Sequence, residues 1–250
     1  MSKVTTIGLD LAKNVFHVVC CDARGKRVHR KPLRRGQLLR YFANLPSCLI
    51  GRESCASASY WARELQALGH AVKLIPPQYV KPYVRGNKHD YNDAQAIAEA
   101  VVQPQMRFAT PKTVAQQDVQ ALHRLRERRV AERTALCNQV RGLLGEYGIV
   151  LPRGVASVRR RVPELLEAAD NGLSALFRRL LAQAWRQLQE QDVHIADYTR
   201  ELKRQSAQQA ACQRLQTIPG YGPILASVFC SVVGDGAAYR RGRDVSAAVG

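Results

Sequence analysis

The sequence predicts an α/β domain in residues 1–110, followed by a region built almost entirely of helices. Two observations predict this division. In the first 110 residues, three strand-like segments are followed by alternating helix-like and strand-like segments, which is typical of an α/β domain with a mixed sheet. From about Thr113 the apolar residues recur at helical spacing, with no proline and no internal glycine until Gly142. Hydrophobic residues make up 46% of the chain, enough for a substantial core.

The segments of the α/β domain follow one another in a clear order. Residues 4–10 are expected to form a buried strand, residues 14–22 a second strand and residues 27–33 a third. We place the third strand at an edge of the sheet, because Pro32 has no N–H group to donate to a neighbour. The remaining segments are a helix at 35–45, a strand at 47–53, a helix at 59–69 ended by Gly69, a strand at 70–75, a proline-rich loop or short helix at 76–89 and a helix at 91–103.

The second region begins with a long basic helix over residues 113–148. Residues 150–163 contain two prolines and are expected to break it. Residues 163–213 are expected to be helical again, with an interruption at Asn171-Gly172. Two long helices joined by a turn predict either an antiparallel coiled coil or an ordinary helical bundle, and the pattern does not decide between them.

The charge of the chain predicts a polyanionic partner. The formal net charge is +18, and residues 1–161 carry 28 basic against 11 acidic residues. So large a charge repels itself unless a partner neutralises it, which favours nucleic-acid binding. A solvated surface, or the surface of a ribosome-associated protein, is the alternative.

The cysteines and the hydropathy exclude several classes of protein. The seven cysteines form no CxxC pair, so we expect buried thiols in a reducing compartment and neither a disulfide framework nor a zinc site. There is no secretory signal, and no apolar run reaches the length of a membrane span. We therefore expect a cytoplasmic protein that does not contact a membrane.

Four acidic residues form the candidate site. Asp10 and Glu53 end predicted strands, and Asp90 and Asp93 lie one turn apart at the start of a predicted helix. Each is ordinary by itself, as a strand-end turn residue, a helix cap or a first-turn acid. Together they match the needs of a nuclease with two Mg²⁺ ions, in which several carboxylates surround ions roughly 4 Å apart. The cations would then offset the repulsion between the carboxylates.

Several segments resemble the insertion-sequence transposases of the one-ten and eleven-eleven type. They are "IGLDLAKNVFHVV", "YWARELQALGHAVKLIPPQYVKPYV", "NKHDYNDAQAIAEAV", "RTALCNQVRGLLGEYGIVLPRG" and "LQTIPGYGPILA", so the resemblance extends over essentially the whole chain. It implies a RuvC-like domain of the RNase H fold at 1–110, a coiled coil at 111–213 and the beginning of a C-terminal transposase domain at 214–250. It also implies that Asp10, Glu53, Asp90 and Asp93 are the catalytic DEDD set and bind two Mg²⁺ ions.

The resemblance further implies partners and binding residues. The expected partners are DNA and a guide (bridge) RNA. The chain is also expected to form a dimer or tetramer and to be associated with the bacterial nucleoid. The segment "LQTIPGYGPILASV" matches a helix-hairpin-helix pattern, whose glycines let the backbone approach a phosphate, although a plain turn between helices has the same pattern. The residues expected to contact nucleic acid are Lys13, Lys81, Arg85, Lys88, Gly220 and Gly222.

One departure from the family limits the expected activity. In the family, a segment with a nucleophilic serine follows a stretch like "GRDVSAAVG", and this sequence ends with that stretch at Gly250. We therefore expect these 250 residues to bind nucleic acid and self-associate without completing strand exchange. A Holliday-junction-type nuclease using only the acidic set, and a truncated binding protein without activity, are the alternatives. An actin-like sugar kinase is disfavoured, because the sequence has no second glycine-rich phosphate loop.

Overall fold

The computed structural model describes residues 4–11, 14–86, 89–234, 236–237, 239 and 241–249. The chain divides into two compact units. One consists of residues 1–113 together with 235–248, and the other is centred on residues 114–234. Among the described residues, no helix is both long enough and apolar enough to cross a membrane.

The first unit contains a mixed five-stranded sheet. Its strands are β1 (Thr6–Leu11), β2 (Val15–Cys21), β3 (Arg27–Arg34), β4 (Leu49–Glu53) and β5 (Ala71–Ile75). The order across the sheet is β3-β2-β1-β4-β5. Strand β2 is antiparallel to β1 and β3, whereas β4 is parallel to β1 and β5 is parallel to β4. The predicted α/β domain with a mixed sheet is thus confirmed, and the proline-containing β3 does lie at an edge.

Helices cover both faces of this sheet. They are α1 (Leu38–Ala43), α2 (Ala58–Ala67), the one-turn α3 (Pro77–Val80) and α4 (Asp90–Ala100). Ile7 and Leu9 of β1 are fully buried in a core that also contains Phe42 of α1 and Trp61 of α2. The residues of β1 and β2 that point the other way contact α4, as shown by the cluster of Val19 and Cys21 with Ala94 and Ala98.

The second unit is helical, as predicted. Its helices are α5 (Val114–Gly145), α6 (Val155–Glu167), α7 (Ala175–Gln208), α8 (Ala210–Gln216) and α9 (Pro223–Val233); α10 (Gly242–Val249) follows them in the chain. Arg126 of α5 donates to the Thr199 hydroxyl of α7 at 2.8 Å, and Arg133 donates to Asp192 at 3.1 Å. The later residue of α5 thus contacts the earlier residue of α7, so the two long helices are antiparallel.

The predicted break after the first long helix is present but shorter than expected. Helix α5 ends at Gly145 and α6 begins at Val155, so most of residues 150–163, including Pro163, is helical. A proline inside a helix removes one backbone hydrogen bond and disfavours the helix by about 3 kcal/mol. Here the helix buries Val158, Val162 and Leu165 on one face. Burying three aliphatic side chains at about 1.5–3 kcal/mol each outweighs that cost.

Candidate metal centre

Two glycines allow helix α4 to lie directly on the middle of the sheet. Gly8 of β1 and Gly51 of β4 are neighbours in register. A Cβ atom at Gly8 would lie 1.9 Å from the carbonyl oxygen of Ala94, and one at Gly51 would lie 2.7 Å from the Cβ of Val101. Any larger residue would push α4 away from the sheet, so the glycines fix how closely the helix approaches.

The same geometry places the four acidic residues at one end of the sheet. Asp10 and Glu53 come two residues after these glycines, and side chains two apart on a strand share a face. Both acids therefore project on the side covered by α4. The helix begins at Asp90, and Asp93 follows in its first turn.

Asp10, Asp90 and a histidine form a compact group of metal-binding atoms. His17 of β2 is paired directly with Asp10 of β1. Its Nδ1 lies 3.4 Å from an Oδ of Asp90. One ligand atom from each of the three residues lies within 4.8 Å of the others. A carboxylate-rich group of this size is suited to a divalent cation.

Glu53 lies within the electrostatic reach of two of the other acids. Burial raises the pKa of its carboxyl group, and the negative charges of Asp10 and Asp93 raise it further, with partial relief from Arg52. Glu53 and Asp93 are both half-buried. The structure therefore brings the four predicted acids together, with Asp10 close to Asp90 on one side and within the field of Glu53 on the other.

The N-terminal cap of helix α4 is the residue before Asp90. His89 is the N-cap of α4, and its Nδ1 accepts a hydrogen bond from the backbone N–H of Tyr91 at 3.2 Å. Asp90 and Asp93 consequently occupy the first turn, where the helix dipole stabilises negative charge. The side chain of Asp90 is 58% exposed. The group is therefore open to solvent on the side where the helix begins.

Arg52 is a residue of the site that the sequence analysis missed. Its side chain is completely buried, and it donates to the carbonyl oxygens of Ser57 and Ala58 at 3.3 and 3.1 Å. Burial lowers the pKa of the guanidinium to about 10, against the opposing effects of Cys55, Asp10 and Glu53. Arg52 therefore stays protonated at neutral pH and is a buried cation beside the acids. A charged residue inside the apolar strand "LIGRE" was the available signal.

The basic residues predicted to contact nucleic acid are distributed more widely. Lys13 and Lys88 lie outside the described residues. Lys81 is exposed in a short 3₁₀ turn after α3. The guanidinium of Arg85 is 3.4 Å from Glu99, which is more than two turns along α4 from Asp90. Arg85 therefore lies away from the acidic group.

A basic side chain that the sequence analysis missed lies closer to the acids. Arg30, on the exposed edge strand β3, places its guanidinium 4.7 Å from the ring centre of Tyr91. Tyr91 follows Asp90 directly and packs edge-on against His17. Arg30 thus places an exposed positive charge against the residue that follows Asp90.

Gly220 and Gly222 lie in the turn between α8 and α9. Gly220 has a φ of +88°, which a residue with a side chain would adopt only with strain. Gly222 is the N-cap of α9 and provides no capping side chain. The first N–H groups of a helix have no partner within the helix, so this turn presents backbone donors of the kind that bind phosphate.

Comparisons with known proteins agree in pointing to one family. A family model for DEDD transposases of the IS110 type matches residues 7–149, which include the four acids. The transposase of insertion sequence element IS1328 from Yersinia enterocolitica is 44% identical over 100% of this chain and 74% of its own length. The transposase of IS1111A from Coxiella burnetii is 41% identical over 100% of this chain and 69% of its own length. A probable family 20 transposase from Pseudomonas aeruginosa is 44% identical over 99% of this chain and 74% of its own length. With more than half of its residues matched by the family model and relatives of this similarity, the chain belongs to the IS110 family of DEDD transposases.

Proposed function

We propose that the protein is the transposase of an insertion sequence, and that it cleaves DNA strands with divalent metal ions held by Asp10, Glu53, Asp90 and Asp93. The observation that carries the proposal is the convergence of these acids at the ends of β1 and β4 and at the first turn of α4. Membership of the transposase family supplies the class of reaction.

The topology of the sheet supports an RNase H-like, RuvC-like fold for the first unit. The order β3-β2-β1-β4-β5, with β2 alone reversed, is the arrangement expected of that fold. In this arrangement β1 and β4 are adjacent and parallel, so their carboxyl ends meet. That is where the acids lie, and it is the part of the sheet from which a cleavage site would be built.

The set of donors suits Mg²⁺, and we propose that two ions bind. Carboxylate oxygens are the ligands that Mg²⁺ prefers. Burial and, after it, the charges of Asp10 and Asp93 raise the pKa of Glu53, and cations would offset this repulsion. Asp10 lies close to Asp90 and within the field of Glu53, so these carboxylates would hold the ions together with Asp93. When bound, such ions activate an attacking hydroxyl or water and stabilise the leaving oxygen.

The protein's own residues would position the nucleic acid against this centre. Residues 1–161 carry a net charge of +17, which suits a phosphate backbone. Arg30 beside Tyr91, the exposed Lys81 and the turn at Gly220 and Gly222 are the proposed phosphate contacts. We also propose that a guide RNA supplies the sequence recognition, with the protein contacting backbone and shape.

Self-association is the remaining part of the proposal. We propose that the antiparallel helices α5 and α7 form a coiled coil, and that two copies of the chain associate through it. Leu176 and Leu180, one turn apart on α7, are 57% and 52% exposed, and Leu143 on α5 is 47% exposed. Apolar side chains grouped at a helix surface are typical of an interface between copies. Light scattering of the purified chain would measure its mass in solution.

The test is DNA cleavage by single-residue variants. The protein is incubated with guide RNA, a DNA substrate carrying the ends of the element, and Mg²⁺. Asp10→Asn, Glu53→Gln, Asp90→Asn and Asp93→Asn are each expected to reduce cleavage by about a hundredfold or more. Asp170→Asn, in an exposed loop of the other unit, makes the same charge change and is expected to have no effect.

Two results would overturn the proposal. Undiminished metal-dependent cleavage by Asp10→Asn would show that the reaction occurs elsewhere. Tight nucleic-acid binding by the unaltered protein without cleavage in any divalent metal would identify the chain as a binding protein.

A further inference from the structure

We infer that His17 supplies a nitrogen ligand to the metal ion held by Asp10 and Asp90, so that the centre binds Mn²⁺ in preference to Mg²⁺. The inference rests on the proposed function in one respect only, that these carboxylates hold a divalent ion. It adds a fifth protein ligand to the four acids, and it changes the chemical class of the site from oxygen ligands alone to mixed oxygen and nitrogen ligands.

The first argument is distance. His17 and Asp10 face each other across the antiparallel strands β1 and β2, and His17 Nδ1 lies 3.4 Å from Asp90 Oδ2. Donor atoms about 2.1–2.2 Å from one ion lie between about 3 Å and 4.4 Å apart, depending on whether they are adjacent or opposite. The three donor atoms of this group lie within 4.8 Å of one another. A shift of about half an ångström therefore brings all three onto one ion.

The second argument is the state of the imidazole. The side chain of His17 is 14% exposed, and its Nδ1 is buried. Within the described part of the chain, Nδ1 makes no hydrogen bond, since its approach to Asp90 lacks the necessary geometry. Leaving a buried polar atom without a partner costs about 1–3 kcal/mol. A metal ion at this position would be the partner that Nδ1 lacks.

The third argument is that the ring is held in place. Tyr91 packs edge-on against it, with the ring centres 4.7 Å apart. Phe16 and Val18, the neighbours of His17 on β2, are buried and fix the strand. The imidazole therefore loses little conformational freedom when it binds an ion, which is a property of pre-organised ligands.

The choice of metal follows from the ligand types. Carboxylate oxygens bind Mg²⁺ and Mn²⁺ alike, whereas imidazole nitrogen favours the transition metals. Removing the imidazole should therefore weaken Mn²⁺ binding far more than Mg²⁺ binding. A histidine that only forms an ion pair with Asp90 would compete with both cations and would produce no such difference.

The experiment measures metal binding by the full chain without nucleic acid. Mn²⁺ and Mg²⁺ are each titrated calorimetrically into the unaltered protein, His17→Gln, Asp10→Asn and the control His194→Gln, which changes an exposed histidine of α7. We expect His17→Gln to weaken Mn²⁺ binding by at least about tenfold and Mg²⁺ binding by less than about threefold. His194→Gln should change neither affinity.

A spectroscopic measurement on the unaltered protein makes the test independent of how the variant folds. Bound Mn²⁺ should show magnetic coupling to an imidazole nitrogen in pulsed electron paramagnetic resonance. Absence of that coupling, or equal weakening of both metals by His17→Gln, would overturn the inference. The proposed function fails separately, if Asp10→Asn binds both metals as tightly as the unaltered protein.

Discussion

Replacing Gly8 with alanine should separate helix α4 from the sheet, although the change adds a single methyl group. The added Cβ would lie 1.9 Å from the carbonyl oxygen of Ala94 and 2.7 Å from the backbone nitrogen of Ala98. An ordinary contact of this kind is about 3.4 Å, so the helix must move by roughly 1.5 Å. Both contacts are with backbone atoms, which cannot rotate away as a side chain can.

The magnitude follows from what the displacement exposes. Overpacking a core costs about 1–3 kcal/mol and occasionally more, and a clash with rigid backbone belongs at the upper end. We therefore expect a loss of about 3 kcal/mol or more, which lowers the melting temperature of a unit of this size by roughly 10 °C. The shift would also move Asp90 and Asp93 relative to Asp10, and metal sites tolerate displacements of only about 0.5 Å. Metal affinity should therefore fall together with stability.

Urea unfolding followed by tryptophan fluorescence would measure the effect. The chain has two tryptophans, Trp61 in the first unit and Trp185 in the second, so a Trp185→Phe background reports on the first unit alone. Gly36→Ala, a control in the first unit where the added Cβ would meet nothing within 4 Å, should be neutral or stabilising by up to about 1 kcal/mol. If Gly8→Ala unfolds within about 0.5 kcal/mol of its parent, α4 does not lie on the sheet as described.

Three further predictions concern charge. Affinity for nucleic acid should fall by at least about a hundredfold between roughly 50 and 200 mM salt, and a flat dependence in a filter-binding titration would exclude the basic surface as the binding site. Arg52→Met should destabilise the first unit by about 3 kcal/mol, because the carbonyl groups of Ser57 and Ala58 lose their hydrogen-bond donor and the acids lose a nearby buried cation. An unchanged midpoint of urea unfolding would contradict this role. Burial raises the pKa of Asp192, but hydrogen bonds from Arg159 and Arg133 outweigh it and leave the pKa below its usual value. Because the pKa of Asp192 is lower in the folded state, its ionised carboxylate stabilises the fold above the unfolded-state pKa. This stabilisation should disappear as the pH falls below about 4. Thermal melts of Asp192→Asn at several pH values should lack that part of the pH dependence.

The parts of the fold that were predictable are those with strong local patterns. Strands β1, β2, β4 and β5 were apparent as short apolar runs bounded by turns, and the edge position of the basic strand β3 followed from Pro32 alone. The helix α6 was not predictable in the same way. Pro163 is a local signal that disfavours a helix, and it was outweighed by the burial of one helical face, which depends on packing against distant residues.

The residues of the candidate site also differ in whether the sequence alone could predict them. The four acids were conspicuous because acidic residues are rare in the first part of the chain. His17 and Arg52 were not, because the position of His17 depends on strand register and that of Arg52 on how α2 begins beside β4. A signal for that approach was present in the sequence. Gly8-Leu9-Asp10 and Gly51-Arg52-Glu53 share the spacing of a glycine two residues before an acid. The glycine admits the helix, and the acid then lies beside the first turn of that helix.

The balance of charge explains why so basic a chain keeps these acids together. When all are ionised, the four carboxylates would repel a phosphate backbone. On the proposed function, each divalent cation would offset two of these negative charges, so two ions would neutralise the four carboxylates. The surrounding basic surface would attract nucleic acid with or without the ions, but a phosphate could approach the carboxylates themselves only when the ions are bound. The proposed arrangement would therefore separate holding the nucleic acid, which needs no metal, from placing a phosphate at the acids, which does.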